Sequence, residues 1–260
     1  MVTFGPLGAV RLHSGEVVSS GFGPLDRLLP AGGVRRGSLL EWIGEDDASG
    51  ALTLAFAVAC RLAGVVHGAA ATRASTIVVI DRQGRFHPPA VMGWLRAAAS
   101  GGPEERRLVV ARVSSAVDEA WAVDQALRCR GVAAVLACPQ SIHPTAMRRW
   151  QLAARASQAV GLFVRPQAAG GQRQERRQPT WAEARISVSP LPGESIATRR
   201  LRLALIGGPW AGEQSVEDRA VEIGIDLARG GEACGPEAGG IRIFQSQAAQ
   251  PAEVMACRAS

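Results

Sequence analysis

Between Gly37 and Gln167, short apolar runs alternate with longer segments of helical period, and that alternation constrains the fold more than any other feature of the chain. Ser38 to Gly44 (SLLEWIG), Ser75 to Asp81 (STIVVID), Arg107 to Val113, Val132 to Cys138 and Val160 to Arg165 read as strands. Gly50 to Ala63, Pro89 to Ala99, Ala116 to Arg128 and Pro144 to Ser157 read as helices. A strand that is apolar at nearly every position must be covered on both faces, as in a parallel sheet with crossover helices on each side. The expectation is a doubly wound α/β domain.

The texture changes after Gln167. Ala168 to Thr180, AAGGQRQERRQPT, is rich in Gly, Gln and Arg and has no hydrophobic period, so it reads as a mobile loop. Trp181 to Ser189, Arg200 to Ile206 and Asp218 to Ile225 alternate apolar and polar residues and suit antiparallel strands at one edge of the sheet. From Ala228 to Ser260 only Ile241 to Phe244 could bury itself. The expected organisation is a loose arm over residues 1–14, a core over 15–227 and a flexible tail over 228–260.

Composition narrows the functional classes. With 260 residues and 47% apolar content, the chain can fill a substantial core. Its longest apolar stretch, Ala51 to Val66, is broken by Arg61 and is too short to span a bilayer, and the N-terminus lacks the pattern of a secretory signal. A cytoplasmic protein with no membrane partner is expected. Cys60, Cys129, Cys138, Cys234 and Cys257 form no C-x-x-C pair, and His13, His67, His87 and His143 are scattered, so neither a metal site nor a disulfide framework is expected. The tryptophans read mostly as core residues, with Trp181 and Trp210 as candidate exposed anchors.

All 29 basic residues are arginine, so any phosphate the chain grips must be held by guanidinium groups or backbone amides. They are unevenly placed. Thirteen arginines face three acids between Arg128 and Arg202, whereas the residues before Arg128 are balanced and those after Arg202 are acidic. The middle third is a candidate footprint for nucleic acid or an acidic partner.

A P-loop would sit where the first strand turns into its helix, at Gly44-Glu-Asp-Asp-Ala-Ser-Gly50. A working P-loop follows G-x-x-x-x-G-K-[ST]: backbone amides cradle phosphates, lysine reaches the terminal ones and the hydroxyl holds magnesium. Here Gly50 is followed by Ala51 and Leu52, and three carboxylates line the place where an anion would dock. Like charges a few ångströms apart cost on the order of 1 kcal/mol each even in water. Gly44, Ser49, Gly50 and Ala51 therefore read as a degenerate phosphate loop, with no nucleotide, metal or other cofactor expected.

The run Ser20 to Gly44, SGFGPLDRLLPAGGVRRGSLLEWIG, resembles the approach to the ATPase core of RecA, and Leu52-Thr53-Leu54 is similar to the start of its first core helix. Val78 to Pro88 resembles the RecA segment that carries the catalytic glutamate, with Gln83 in its register. Val132 to Cys138 resembles the Walker B strand, with Cys138 at the aspartate position. Where RecA has a glutamine that senses the γ-phosphate, the register gives Arg165-Pro166, followed by Gln167. Lysine, magnesium ligand, base and sensor are altered together, which implies a pseudo-ATPase.

Leu162-Phe-Val-Arg-Pro166, Leu-Pro-Ala-Gly-Gly at Leu29 to Gly33, and the C-terminal strands spaced by Gly207-Gly-Pro-Trp-Ala-Gly212 resemble the ImuA family over residues 15–230. The resemblance implies a RecA-like core with a mainly parallel sheet, and a non-catalytic accessory role in SOS-induced mutagenic translesion synthesis. It implies as partners an ImuB-type polymerase-like protein and an error-prone replicative-type DNA polymerase α subunit. RecA and single-stranded DNA are further candidate partners. The first DNA-binding loop of RecA lacks a counterpart, while the second aligns with Ala168 to Thr180, making Arg173, Arg176 and Arg177 the leading candidates for a DNA backbone contact, with Arg148 and Arg149 as weaker ones. Two alternatives stand beside this reading: an ATPase that grips phosphate through Arg82 or Arg85, and an SOS-linked inhibitor of cell division.

Overall fold

The computed structural model describes residues 15–64, 76–97, 107–168, 171–178, 180–192, 197–208, 220–228 and 230–232. A two-stranded ribbon, β1 (Val17–Val18) and β2 (Val34–Arg35), brackets the short helix α1 (Gly23–Leu28). There follow β3 (Leu39–Gly44), a 3₁₀ turn (Asp47–Ser49), α2 (Ala51–Gly64), β4 (Thr76–Ile80), α3 (Pro88–Ala97), β5 (Arg107–Ala111) and α4 (Ala116–Arg128). The chain continues through β6 (Val132–Ala137), α5 (Pro144–Ser157), β7 (Val160–Pro166), α6 (Gly171–Arg177), β8 (Ala184–Pro190), β9 (Thr198–Gly207) and β10 (Ala220–Asp226). The central sheet has eight strands in the order β10-β9-β8-β3-β7-β6-β4-β5. Strands β3 to β8 are mutually parallel, and β9 and β10 are antiparallel to their neighbours. This is an α/β architecture consistent with the Rossmann- and RecA-like class.

Alternation along the strands divides the core. Leu40, Trp42, Ile77, Val79, Leu136 and Leu162 face α1, α2 and α3, where Phe22, Leu54, Phe56 and Trp94 meet them. Leu39, Val78, Ile80, Val135 and Phe163 face α4 and α5, packing on Leu127, Met147 and Trp150. Burial on both faces is why the central strands are apolar at most positions. Local chemistry sets the helix limits. The Ser115 side chain accepts from Asp118 N at the start of α4, the His143 ring and Pro144 open α5, and Gln158, in the left-handed region at φ 68°, closes it.

Two expectations are corrected by the tertiary arrangement. The segment after Trp181 is not an antiparallel edge strand, because β8 lies inside the sheet, parallel to β3 on one side and antiparallel to β9 on the other. Its alternation reflects Arg185 on one face, which is buried by pairing with charge and not by exposure to water. The segment Ala168 to Thr180 contains a helix, α6, held down by a single carboxylate, Glu175, described below. A third correction concerns Trp121, which is not a core residue: it is 62% exposed on α4. The expected arm over 1–14, most of the tail and Trp210 lie outside the described residues. Among those described, no helix is long and apolar enough to cross a membrane.

Candidate functional site

The C-terminal ends of β3, β4, β6 and β7 lie along one edge of the sheet, where open parallel sheets bind ligands. At this edge the turn from Gly44 to Gly50 folds on itself. Ser49 is buried; its amide donates to Asp46 O at 3.3 Å and its hydroxyl accepts from Ala51 N at 3.3 Å. Gly44 must lack a side chain because a Cβ there would fall on Ser49 Oγ. Gly50 sits at φ 86°, and Leu201 and Arg199 of β9 press against it where a Cβ would project. Arg199 also donates to the Ala48 carbonyl, and its buried Nε has no hydrogen-bond partner. Glu45, Asp46 and Asp47 point outward, and Asp47 pairs with Arg85 from the turn after β4. A guanidinium therefore rests beside the N-terminus of α2, the end of a helix that favours anions. Arg199 spends a donor on the Ala48 carbonyl, Arg85 is paired with Asp47, and the exposed carboxylates of the turn make the place unfavourable for an anion.

Beyond β4 and β6 the remaining ATPase positions converge. Asp81 is used by the backbone: its carboxylate accepts from Arg85 N at 3.0 Å and from Phe86 N at 3.2 Å. Arg82 donates to buried Glu119 at 3.0 Å. Both arginines considered as alternative phosphate grips, Arg82 and Arg85, are thus paired with carboxylates. The Gln83 side-chain carbonyl is buried without a partner. Burial, Glu119 and Asp81 push the Cys138 thiol up to about 12, so it stays neutral at physiological pH and does not replace a carboxylate as a magnesium ligand. The space between Gln83, Cys138 and Leu52 measures only about 10 Å³.

The largest polar feature lies on the α5 side of β3, β7 and β8. Glu41 is opposite Arg185 in the β3–β8 register. Glu41 accepts from Arg165 Nε at 3.0 Å, from Arg185 Nε at 2.7 Å and from Thr180 Oγ1 at 2.8 Å. Glu175, fully buried, accepts from Arg165 Nη2 on Oε2 at 3.0 Å and from Ala168 N on Oε1 at 2.9 Å, and Oε2 also lies 3.8 Å from Arg185 Nη1. Arg185 also donates to the carbonyls of Glu175 and Gln178. Two carboxylates and two guanidinium groups thus form a buried cluster of zero net charge that holds α6 on the sheet. Beside it opens a cleft of about 280 Å³, with Met147 and Trp181 among its walls.

The arginine candidates separate on this frame. Arg149 donates to Asp124 at 3.2 Å, sharing that carboxylate with Arg128. Arg148 is exposed and lies 4.4 Å above the ring of Trp181. Arg176 is exposed on α6, whereas the side chains of Arg173 and Arg177 lie outside the described residues. Glu41, Arg165, Glu175 and Arg185 were missed as a group. Their signal was present as one acid in an otherwise apolar strand and one acid within an arginine-rich segment. No protein-family model matches the chain, and no curated protein is significantly similar to it.

Removing one member of a buried, mutually satisfied ion cluster leaves uncompensated charge and costs about 3–5 kcal/mol. Glu41→Gln is therefore expected to lower the urea-unfolding free energy by that amount, and a loss below about 1 kcal/mol would show that the cluster contributes little. Thiol chemistry checks the ATPase edge independently. Peptide mapping after brief alkylation of the native protein near pH 8 should find exposed Cys129 labelled and Cys138 unlabelled, with both labelled once the protein is unfolded in urea.

Proposed function

We propose that the protein is a non-catalytic, RecA-like accessory protein of SOS-induced mutagenic translesion synthesis, a cytoplasmic adaptor for an ImuB-type polymerase-like protein and an error-prone replicative-type polymerase α subunit. The observation that carries the non-catalytic half is the turn from Gly44 to Gly50, which has no lysine after Gly50, carries three exposed carboxylates, and has Arg199 and Leu201 packed against Gly50. The strand order supports the RecA-like half: β3, β7 and β6 are neighbours, so the degenerate loop, the Arg165-Pro166 strand end and Cys138 share one edge. For an adaptor, docking surface matters more than chemistry. Val117 and Trp121, one turn apart on α4, are 78% and 62% exposed and offer an apolar anchor of the kind protein interfaces favour. Single-stranded DNA is the further ligand of this reading, contacted through Arg148 and the arginines of α6, Arg173, Arg176 and Arg177, with Arg149 held back by Asp124.

Titration calorimetry with ATP and magnesium should give no binding at millimolar nucleotide, and turnover should be absent with and without single-stranded DNA. An affinity pull-down after DNA damage should recover the polymerase-like protein and the α subunit, less so for Trp121→Ala. Turnover that is lost in a Gly50 variant would favour the ATPase reading, and recovery of the division GTPase instead of polymerase subunits would favour the division-inhibitor reading.

A further inference from the structure

The cleft beside the charge cluster has an unusual combination of floor and walls. Its floor is ionic but neutral, because Glu41 and Glu175 between them engage both Arg165 and Arg185. Such a floor has no unpaired charge with which to hold a charged head group. Its walls supply side-chain amides, from Gln140, Gln167 and Gln178, and apolar surface from Met147 and Trp181. At about 280 Å³ the cleft is at the small end for a ligand site, suited to a single planar group. Apolar slabs with amide groups at the edge match a neutral, flat ring whose rim carries both donors and acceptors. A nucleobase has that chemistry.

Trp181 is placed for stacking. Its indole is 41% exposed although its backbone is tied on three sides: Thr180 bonds Glu41, Ala182 N donates to Thr180 Oγ1 at 3.0 Å, and the Trp181 carbonyl accepts from Gln151 at 3.2 Å. A large aromatic surface held rigid loses little entropy on binding. The guanidinium of Arg148 rests on this ring from outside the cleft lining, so the ring already accepts a flat partner and a cation stands next to it to meet a phosphate. Arg176 lies on the helix that also supplies Glu175.

The geometry points to a base-stacking site: Trp181, in the wall of this cleft, receives one base of a single-stranded DNA, while Arg148 and Arg176, outside the cleft lining, engage the adjoining phosphates. The inference rests on the DNA reading proposed above and adds that the base itself is held, by stacking and by side-chain amides, and not the backbone alone. Stacking on aromatic side chains tolerates any sequence, which suits a protein acting wherever a lesion falls.

The test compares fluorescence anisotropy of the full chain with oligodeoxythymidine of about 20 nucleotides and with an abasic phosphodiester of equal length and charge. Thymidine should bind about tenfold more tightly, in the range of one base–aromatic stack. Trp181→Ala should reduce thymidine binding to the abasic level, and Trp181→Phe should restore most of the difference, with circular dichroism confirming that both variants are folded. Equal binding of the two oligomers by the native protein overturns the stacking site and leaves the phosphate contact standing. Binding of neither overturns both. A thymidine preference undiminished in Trp181→Ala also overturns the inference, because the base would then be held elsewhere.

Discussion

The buried pairing of Glu41 and Glu175 with Arg165 and Arg185 is the interaction on which the functional face depends. It draws on three adjacent parallel strands and on α6, and through Thr180 it fixes the segment leading into β8. Ionised groups this deep are tolerated only when each finds opposite charge and hydrogen bonds, a condition met here by two carboxylates and two guanidinium forks. Arginine suits the task because a planar fork can bridge two carboxylates at once, as Arg165 does. The result is a segment of almost no hydrophobicity seated on a sheet, and a cleft whose floor carries charge without net potential.

A second electrostatic feature lies at the turn into α2, where Arg199 donates to the Ala48 carbonyl, Arg85 pairs with Asp47, and Glu45 and Asp46 are exposed beside them. At the turn from Gly44 to Gly50 the side chains of Arg199 and Leu201 lie against the backbone, whereas on the β7–β8 side a cleft opens between α5 and α6. The charge excess of the middle third is correspondingly smaller than it reads in the sequence. Arg165 and Arg185 are neutralised internally, Arg128 and Arg149 share Asp124, and Arg200 pairs with Glu222. Among the described side chains, Arg148 and Arg176 stay outward on α5 and α6.

Much of the fold could be read from periodicity. The limits of α4 and α5 follow from Ser115 and from His143-Pro144, whose side chains act on the adjacent turn and need no distant partner. The apolar strands announced a covered parallel sheet because burial on both faces leaves a compositional trace. The order of those strands, and the place of β8 between β3 and β9, left none, since neighbours in the sheet come from distant parts of the chain. Helix α6 was illegible for a related reason. Its hydrophobic period is absent because it is attached by one buried carboxylate, and the worth of Glu175 is visible only when Arg165 and Arg185 stand beneath it.

By itself, the sequence determined the layered α/β class, the alternation of strands and helices, and the absence of lysine and presence of three carboxylates in the turn from Gly44 to Gly50. These are properties of residue type and local spacing. Tertiary structure alone decided that Arg199 would lie against that turn, that Asp124 would hold Arg149 while Arg148 stacked on Trp181, and that four scattered charges would meet in the core. Electrostatic and stacking energies depend on distance and burial between residues up to about 150 positions apart, and no local pattern encodes them.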